Sequence, residues 1–449
     1  MGRSLLIRSA AALCAVCAAL PGPQAVRAAS ALPVAAAADS MRVRLESGMS
    51  ADVSNEQFYE DAFTDTTFLG RRLVSTPETR YAAVLYAGLD GTRAARRVRY
   101  QLHNELSYGD RLQRDALDLA WVDDFAPAWR FFVAPRAEYR RDQTFGRDLE
   151  EWRSAARLRL RRSFGDGMTF AELGGAGELL RSSGQGADFI LDRDAGTVSG
   201  SLERAGLTGS DWRAGYSFSV RSFPDSSERN HLEHGWEARW RQEFGPWCSL
   251  TLESDGSRRA TVDLAPTSRD NFWQERGAVE IEINGLRTVS WHARVEGEAL
   301  QYDVEDNTLF FDSRLWHARL SARLQTGAAW SLEAGPRGER LSSPREVGES
   351  YDEIGGAFEL ESLAAHAWWS VTPAAGWRAY EPAAAQPGVP ALPGLHSDFA
   401  FYEVTVLGDQ PLPGALRFRV SGTARLEAHT DSSQDARSLY FSFDLRRLF

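Results

Sequence analysis

The sequence predicts an all-β fold, a membrane-spanning antiparallel up-and-down β-barrel of about 20 strands, with 18 strands as the next choice. Three observations carry this prediction. Polar and apolar residues alternate with a period of two over many short segments, and short and long breaks between these segments follow one another along the chain. After the N-terminal region, no segment approaches the roughly 18 consecutive apolar residues of a transmembrane helix. Barrel strands are apolar only at alternate positions, so such a chain can cross a membrane without long apolar runs.

The first 28 residues are typical of a secretory signal peptide. Arg3 and Arg8 precede and enter an Ala-rich apolar run, and the stretch before Ala28 has the small residues of a cleavage site. The apolar run is too short for a membrane anchor. Cleavage after Ala28 is therefore expected. Residues 29–40 are predicted to form a flexible periplasmic lead, and residues 41–449 a single barrel.

The alternating segments indicate strands and not helices. In segment 97–103, Val98, Tyr100 and Leu102 fall on one face, whereas arginine and other polar residues fall on the opposite face. Similar alternation occurs at residues 131–140, 156–161, 236–241, 279–283 and 416–420. A helix would scatter these charges around its whole surface. A soluble β-propeller is the main alternative, but the repeated blade signature that it requires is not visible.

The breaks between segments predict where the chain turns. Short turn-like stretches occur at residues 90–92, 164–167, 209–211, 245–246, 284–285, 326–327 and 372–376. Longer polar or Pro-rich breaks occur near residues 54–78, 141–150, 223–231, 257–270, 341–352 and 381–398. This asymmetry is typical of a barrel with tight periplasmic turns and longer outer loops, and an even strand number would place both termini in the periplasm.

The last twelve residues form the clearest amphipathic strand. Leu439, Phe441, Phe443, Leu445 and Phe449 share one face, on which Arg447 is the exception. This strand resembles the closing strand of Gram-negative outer-membrane β-barrels of the porin-like class, which typically end in Phe after alternating apolar residues. The resemblance implies residence in the bacterial outer membrane and contact with outer-membrane lipid. It also implies that the barrel-assembly machinery recognises Phe441, Phe443, Leu445 and Phe449 as a C-terminal signal.

Charge and cysteine content exclude several classes of function. The formal net charge is −11, with 62 acidic residues against 51 basic residues, all of which are arginine. This acidic balance argues against a nucleic-acid partner. Only Cys248 remains after removal of the signal peptide, so neither a disulfide nor a zinc site based on cysteine is expected. No motif for a cofactor is present, and we expect none.

The polar face of the strands carries arginine and glutamate at alternate positions and is predicted to line the lumen. The lumen-lining candidates are Arg97, Arg99, Arg157, Arg159, Arg161, Glu280, Glu282, His292, Arg294, Glu296, His317, Arg319, Arg417 and Arg419. Two interpretations remain open. The charges could only keep the interior hydrated and the barrel rigid, or the arginine rows could attract anionic groups on a passing solute.

Two further groups of residues have the composition of possible sites. Six tryptophans flank predicted turns and are candidates for a periplasmic aromatic girdle, since amphipathic rings favour the headgroup level: Trp236, Trp240, Trp247, Trp368, Trp369 and Trp377. His292 and His317 are expected on the polar faces of adjacent strands, close together across a hairpin with its loop near residues 304–308. Two histidines with Glu296 nearby make an incomplete metal site, so no metal is predicted.

The favoured function is a pore or transport barrel that passes small hydrophilic solutes across the outer membrane. The second hypothesis is a barrel for export or surface assembly of a polymer or protein, which would work with periplasmic partners. The third is an outer-membrane barrel hydrolase. No local motif for such an enzyme was found, so the protein is not expected to be an enzyme and no catalytic residues are nominated.

Overall fold

The computed structural model describes residues 40–64, 67–93, 97–109, 112–143, 148–165, 167–185, 192–206, 209–262, 271–285, 288–304, 311–327, 329–344, 349–364, 367–381 and 396–449. The predicted signal peptide and the predicted lead up to residue 39 lie outside the described residues. Within the described residues, no helix is long and apolar enough to cross a membrane.

Twenty strands form one antiparallel sheet in which each strand pairs with the next along the chain. The strands are β1 (Ser40–Thr64), β2 (Thr67–Arg93), β3 (Val98–Gly109), β4 (Leu112–Ala126), β5 (Trp129–Asp142), β6 (Asp148–Ser163), β7 (Thr169–Gln185), β8 (Arg193–Ala205), β9 (Ser210–Ser222), β10 (His231–Glu243), β11 (Cys248–Thr261), β12 (Phe272–Asn284), β13 (Val289–Tyr302), β14 (Ser313–Thr326), β15 (Trp330–Ser342), β16 (Tyr351–Leu363), β17 (Trp368–Tyr380), β18 (Phe399–Leu412), β19 (Leu416–His429) and β20 (Ala436–Leu448). The predicted number of about 20 strands is confirmed.

The sheet closes into a barrel because β20 also pairs with β1. The register of this seam runs from Glu46 opposite Leu448 to Gln57 opposite Arg437. One further backbone hydrogen bond joins the amide of Phe449 to the carbonyl oxygen of Leu45, at 2.9 Å. Closure satisfies the backbone groups that an open edge would expose, which is what a sheet in lipid requires. The predicted up-and-down antiparallel barrel is therefore confirmed.

The links between strands differ strongly at the two ends of the barrel. On the side where β1 begins and β20 ends, here called the terminal side, consecutive strands are two to five residues apart. On the opposite side the spacing reaches eighteen residues, between β17 and β18. Several terminal-side turns contain a glycine with positive φ, such as Gly245 at 70° and Gly327 at 71°. A side chain at such a position would be strained, so these glycines permit the tight reversal.

Two predicted short turns are wrong. Residues 90–92 lie near the end of β2, and residues 372–376 lie in the middle of β17. Both stretches contain glycine together with threonine, and the second also contains Pro373, which are common in turns. In the sheet, Pro373 of β17 lies opposite Val404 of β18. The ring of Phe401 covers the backbone at Gly376, and a Cβ added to this glycine would lie 2.6 Å from a ring carbon. Glycine thus marks close packing here.

The first hairpin is longer than predicted. Residues 54–78 were expected to form a polar break, yet they belong to β1 and β2, which pair with each other along their length. The pairing of β1 with β20 stops at Gln57, and the pairing of β2 with β3 starts at Ala82. Beyond these points the hairpin continues as a two-stranded ribbon on the opposite side. Its polar composition lacks the alternation of apolar residues from which the other strands are predicted.

Candidate functional site: the barrel interior

Ion pairs that skip strands identify the interior face of the sheet. The guanidinium Nη1 of Arg446 on β20 donates to Oε2 of Glu105 on β3, at 3.0 Å. These strands are separated by β1 and β2 in the sheet. Arg323 on β14 reaches Glu361 on β16 in the same way, at 2.7 Å. Side chains can span such gaps only on the concave side, so these residues point into the barrel. The alternation of the strands then assigns every other residue to one face.

The outer face is apolar and exposed. Trp152, Leu173, Val198, Trp316 and Ile354 retain 55–70% of their accessible surface. In a soluble protein such a continuous apolar surface would promote aggregation, whereas lipid covers it in a membrane. The outer face is therefore suited to hydrocarbon.

Charged residues on the outer face occur near the strand ends. Arg258, near the end of β11 on the opposite side, donates two hydrogen bonds to the carboxylate of Asp303, from Nη1 at 2.8 Å and Nη2 at 2.5 Å. Hydrogen bonds from this guanidinium hold the pKa of the Asp303 carboxyl below its usual range. Asp303 lies just beyond β13, so this pair is placed at the rim.

The predicted lumen-lining residues lie almost entirely on this interior face. The structure places thirteen of the fourteen on the interior face of strands: Arg99, Arg157, Arg159, Arg161, Glu280, Glu282, His292, Arg294, Glu296, His317, Arg319, Arg417 and Arg419. Arg97 is the exception, because it lies in the turn before β3 with φ of 53°. Its expected position on the strand is corrected accordingly.

The structure does not bring His292 and His317 together. The register of β13 and β14 places Ser321 opposite His292, and Glu296 opposite His317. The two histidines would face each other only if the hairpin were centred two residues earlier. They are four positions apart along the sheet, or about 13 Å. Among the residues that the structure describes, no group of three or more metal-binding side chains is found.

The predicted girdle tryptophans occupy different places. Trp236, Trp240, Trp369 and Trp377 lie on the outer face, whereas Trp247 lies in the turn after β10. Trp368 lies on the interior face, where its Nε1 donates to Oε1 of Glu361 at 2.8 Å. Because residues 372–376 are part of β17, Trp377 is near the opposite side and Trp369 near the terminal side. The grouping of these two around one turn is therefore wrong.

The terminal strand presents its aromatic residues outward. Phe441 and Phe443 stack with their ring centroids 6.0 Å apart, and Phe443 also stacks with Phe418 of β19 at 6.4 Å. Leu445 follows on the same face, and Phe449, just beyond the strand, is exposed. Gly422 of β19 lies beneath the ring of Phe441, and a Cβ there would lie 2.3 Å from a ring carbon. The aromatic row thus packs on the outside of the seam.

One wall of the interior, formed by β10–β19, is dominated by neighbouring opposite charges and is here called the paired wall. Arg294 is the centre of one network, since it donates to Glu280 at 2.8 Å, to Glu253 at 3.0 Å and to Glu296 at 3.0 Å. Arg378 similarly binds Glu353 at 2.7 Å. Each solvated pair contributes less than ~1 kcal/mol, so the networks mainly fix the shape of the wall.

An aromatic side chain, Phe401, interrupts the paired wall near the opposite side. Phe401 is fully buried although it points into the barrel. The guanidinium groups of Arg337 and Arg425 lie over its ring, 5.2 and 5.0 Å from the centroid. These cation–π contacts cover the ring and hold both arginines against the wall.

The wall formed by β3–β9 with the terminal-side ends of β1 and β2, here called the basic wall, contains two adjoining cavities. Cavity 1 has a volume of about 620 Å³ and lies toward the terminal side, and cavity 2 has about 600 Å³. They share Gln101 and Ala120. Ten arginines line them, against only four acidic residues. The arginines are Arg42, Arg99, Arg130, Arg159 and Arg161 in cavity 1, and Arg136, Arg153, Arg157, Arg193 and Arg221 in cavity 2.

Some of these arginines were not among the sequence-based candidates. Arg153 lies four positions before Arg157 on the same face of β6, so the alternation could have identified it. Arg193 and Arg221 lie on β8 and β9, and the segment that contains Arg193 has blurred alternation. Their convergence with β6 depends on the pairing of four strands, for which the sequence carries no local signal.

A polar cluster at the rim bears on the hydrolase hypothesis. Nδ1 of His429 lies 3.0 Å from the hydroxyl of Ser397, and Nε2 lies 3.6 Å from Glu427. The same Nδ1 lies 3.2 Å from the carbonyl oxygen of Ser397, which can only accept a hydrogen bond. A proton on Nδ1 satisfies this contact and leaves the hydroxyl without a base. The cluster therefore serves to fasten residue 397 to β19.

Comparison with known proteins agrees with this architecture. No protein-family model matches the sequence, and no curated protein matches it. Among solved structures, the chain is similar to the copper transporter OprC, with 10% identity, a TM-score of 0.58, and coverage of 91% of this chain and 80% of that chain.

Two receptors show the same likeness. The siderophore receptor PirA from Pseudomonas aeruginosa is 8% identical with a TM-score of 0.53, over 89% of this chain and 80% of that chain. The alcaligin outer-membrane receptor FauA from Bordetella pertussis is 9% identical with a TM-score of 0.50, over 89% and 76%. The identities are too low to assign a role, but the fold is clear: this chain is a 20-stranded barrel of the Gram-negative outer-membrane type.

Proposed function

We propose that this protein is a transport barrel of the bacterial outer membrane whose water-filled interior passes small hydrophilic solutes. The observation that carries the proposal is the charged interior of a closed barrel with an apolar outer face. Isolated ions cannot be buried in a dry interior, and many interior arginines here are half exposed, such as Arg159 and Arg323. Water is the solvent that such a surface requires.

The size of the barrel supports a pathway for solutes. Barrels of 16–18 strands leave an aqueous channel, and larger barrels enclose a lumen that can hold a plug. In the described part of this chain, all twenty strands belong to the wall, and the two short 3₁₀ helices, Ser227–Arg229 and Ser432–Gln434, lie in links between strands. None of these described elements crosses the interior.

Several features support the proposed location in the outer membrane. The apolar N-terminal run is typical of export, and the terminal aromatic strand resembles an outer-membrane signal. OprC is described as a copper transporter and PirA as a siderophore receptor, so a solute is part of the description of both. We extend only the general role, movement of a solute through the barrel, to this protein.

Conductance measurements test the proposal directly. The folded protein, purified without partners, should produce stepwise ion currents in planar bilayers, and a heat-unfolded sample should produce none. A barrel that serves export or assembly with periplasmic partners, or a barrel enzyme, would instead remain silent when isolated. Absence of current from protein that is verified as folded by its heat-modifiable gel mobility would refute the pore. Recovery as a soluble periplasmic monomer would refute the location.

A further inference from the structure

The arginine row of β6 differs from the other charged rows of the interior. Arg157, Arg159 and Arg161 occupy alternate positions of one strand and point into the barrel. Residues two apart along a strand are separated by about 7 Å. The row therefore presents three guanidinium groups at regular intervals over roughly 13 Å of the wall.

Two arginines of this row, Arg157 and Arg159, have uncharged neighbours on the adjacent strands, whereas Arg161 lies opposite Arg130 and Glu172. Ala134 on β5 and Ala176 on β7 lie opposite Arg157. Phe132 and Gly174 lie opposite Arg159. Ala134 and Ala176 line cavity 2 beside Arg157, and Phe132 lines cavity 1 beside Arg159.

The arginines of this row consequently have few partners in the protein. Within the described residues, Arg157 has no carboxylate within ion-pair distance, and it is exposed. Arg159 approaches Glu172 only to 3.9 Å, and Arg161 approaches Glu203 to 3.4 Å. Arg294 on the paired wall, in contrast, binds three carboxylates within 3.0 Å.

The charge of both cavities reinforces this difference. Cavity 1 contains five arginines with Asp90 and Glu172, and cavity 2 contains five arginines with Asp118 and Glu178. Each lining therefore has a formal excess of three positive charges among its own residues, and Asp124 and Glu138, just outside the linings, pair with Arg130 and Arg136 at 2.5 and 2.8 Å. Clefts lined by an excess of one sign of charge focus such a field and raise the local concentration of anions. A guanidinium group binds carboxylate or phosphate oxygens through two parallel hydrogen bonds.

We propose that the basic wall is a binding site for small solutes with two or more oxyanionic groups, carboxylate or phosphate, which bridge cavities 1 and 2 along the arginine row. This inference rests on the proposed transport function and names its substrate class. The spacing of about 7 Å suits two charged groups on one small molecule, and a monoanion can engage only one guanidinium group at a time.

Calorimetric titration of the folded barrel in detergent tests the site, with citrate and pyrophosphate as polyanions and acetate as the monoanion. Citrate should bind the wild type at least tenfold more tightly than acetate does. The variant Arg157→Gln, Arg159→Gln, Arg161→Gln should keep its heat-modifiable mobility and lose citrate affinity by tenfold or more. Comparison of citrate with pyrophosphate shows which oxyanion the wall prefers, and binding of either polyanion supports the proposal.

The matched control removes three arginines from the paired wall: Arg239→Gln, Arg323→Gln and Arg425→Gln. Each has a carboxylate partner, at 3.5, 2.7 and 3.3 Å respectively. This variant should retain citrate affinity within about threefold, because only long-range charge changes. Equal losses in both variants would overturn the site, since net charge alone would then explain binding. Equal affinity for acetate and citrate would overturn the requirement for two charges.

The two proposals fail differently. If the protein conducts ions but binds neither citrate nor pyrophosphate, the polyanion site is wrong and the pore stands. If both polyanions bind at the arginine row but no current is observed, the transport function is wrong and the anion site stands.

Discussion

The seam between β20 and β1 is held on its interior side by Arg446, and replacement of this residue by Gln tests how the barrel stays closed. Arg446 binds Asp444 on its own strand at 2.7 Å, Glu105 on β3 at 3.0 Å and Glu46 on β1 at 3.9 Å. Only 16% of the Arg446 side chain is exposed. The substitution removes the one cation that joins these carboxylates.

The expected loss follows from the partners that remain. Glu46 keeps Arg44 as an ion-pair partner, and Glu105 keeps Arg114 at 3.3 Å. Asp444 has no second cation within ion-pair distance among the described residues, and its side chain is only 18% exposed. Removal of one partner from a buried pair costs about 3–5 kcal/mol, and partial exposure of Asp444 reduces this to about 2–3 kcal/mol.

The free energy of unfolding can be measured by urea titration of the barrel in lipid vesicles, followed by tryptophan fluorescence. Arg417→Gln is the matched control, because Arg417 binds Asp409 through two hydrogen bonds but is 49% exposed. Its loss should remain below about 1 kcal/mol. Adding Asp444→Asn to the Arg446→Gln variant should recover part of the stability. Equal losses for Arg446→Gln and Arg417→Gln, with no recovery in the double variant, would refute the reasoning.

Three further predictions follow from the faces of the strands and from the rim. Phe441→Asp with Phe443→Asp should strongly lower the yield of heat-modifiable barrel in outer membranes, because both rings lie on the lipid side of the seam; unchanged yield would contradict this. Val198→Arg on the outer face of β8 should lower the free energy of unfolding by about 2–4 kcal/mol near the bilayer midplane. Thr197→Arg, at a position that points into cavity 2, should assemble almost normally. Similar losses of stability in the two variants would reject the assignment of faces. The depressed pKa of Asp303 implies stabilisation that is present above the unfolded pKa of about 3.9 and is lost as pH falls through the folded pKa. The Asp303→Asn variant should therefore have a lower melting temperature than wild type at pH 7, and the difference in melting temperature should narrow in acid.

Period-two alternation was sufficient to predict the architecture. It assigned Phe441 and Phe443 to one face of the last strand, and Arg157, Arg159 and Arg161 to one face of another. This information is local, because successive side chains of a strand point to opposite sides regardless of the partner strand. The approximate strand number followed from the same pattern.

Register and packing could not be read from one segment at a time. The predicted proximity of His292 and His317 failed because a shift of two residues in a hairpin separates side chains that would otherwise face each other. The sequence predicts a turn at residues 372–376 because Pro373 and Gly376 give the same signal in a tight turn and in a strand covered by an aromatic ring. The contrast between the two walls likewise depends on what lies opposite each arginine.

The seam also determines how the molecule gains cooperativity. Every other strand pair joins neighbours in the chain, so those hairpins close small loops, whereas β1 and β20 close a ring of about 400 residues. Before that event the sheet has two free edges, which could pair with other chains. The ring itself has no privileged starting point once it is closed. A circular permutant that links residue 449 to residue 40 and begins within the turn at Gly327 would therefore form the same ring with a different final strand. In this permutant the aromatic row keeps its chemistry but no longer lies in the last strand, so its assembly separates the effect of chemistry from the effect of position.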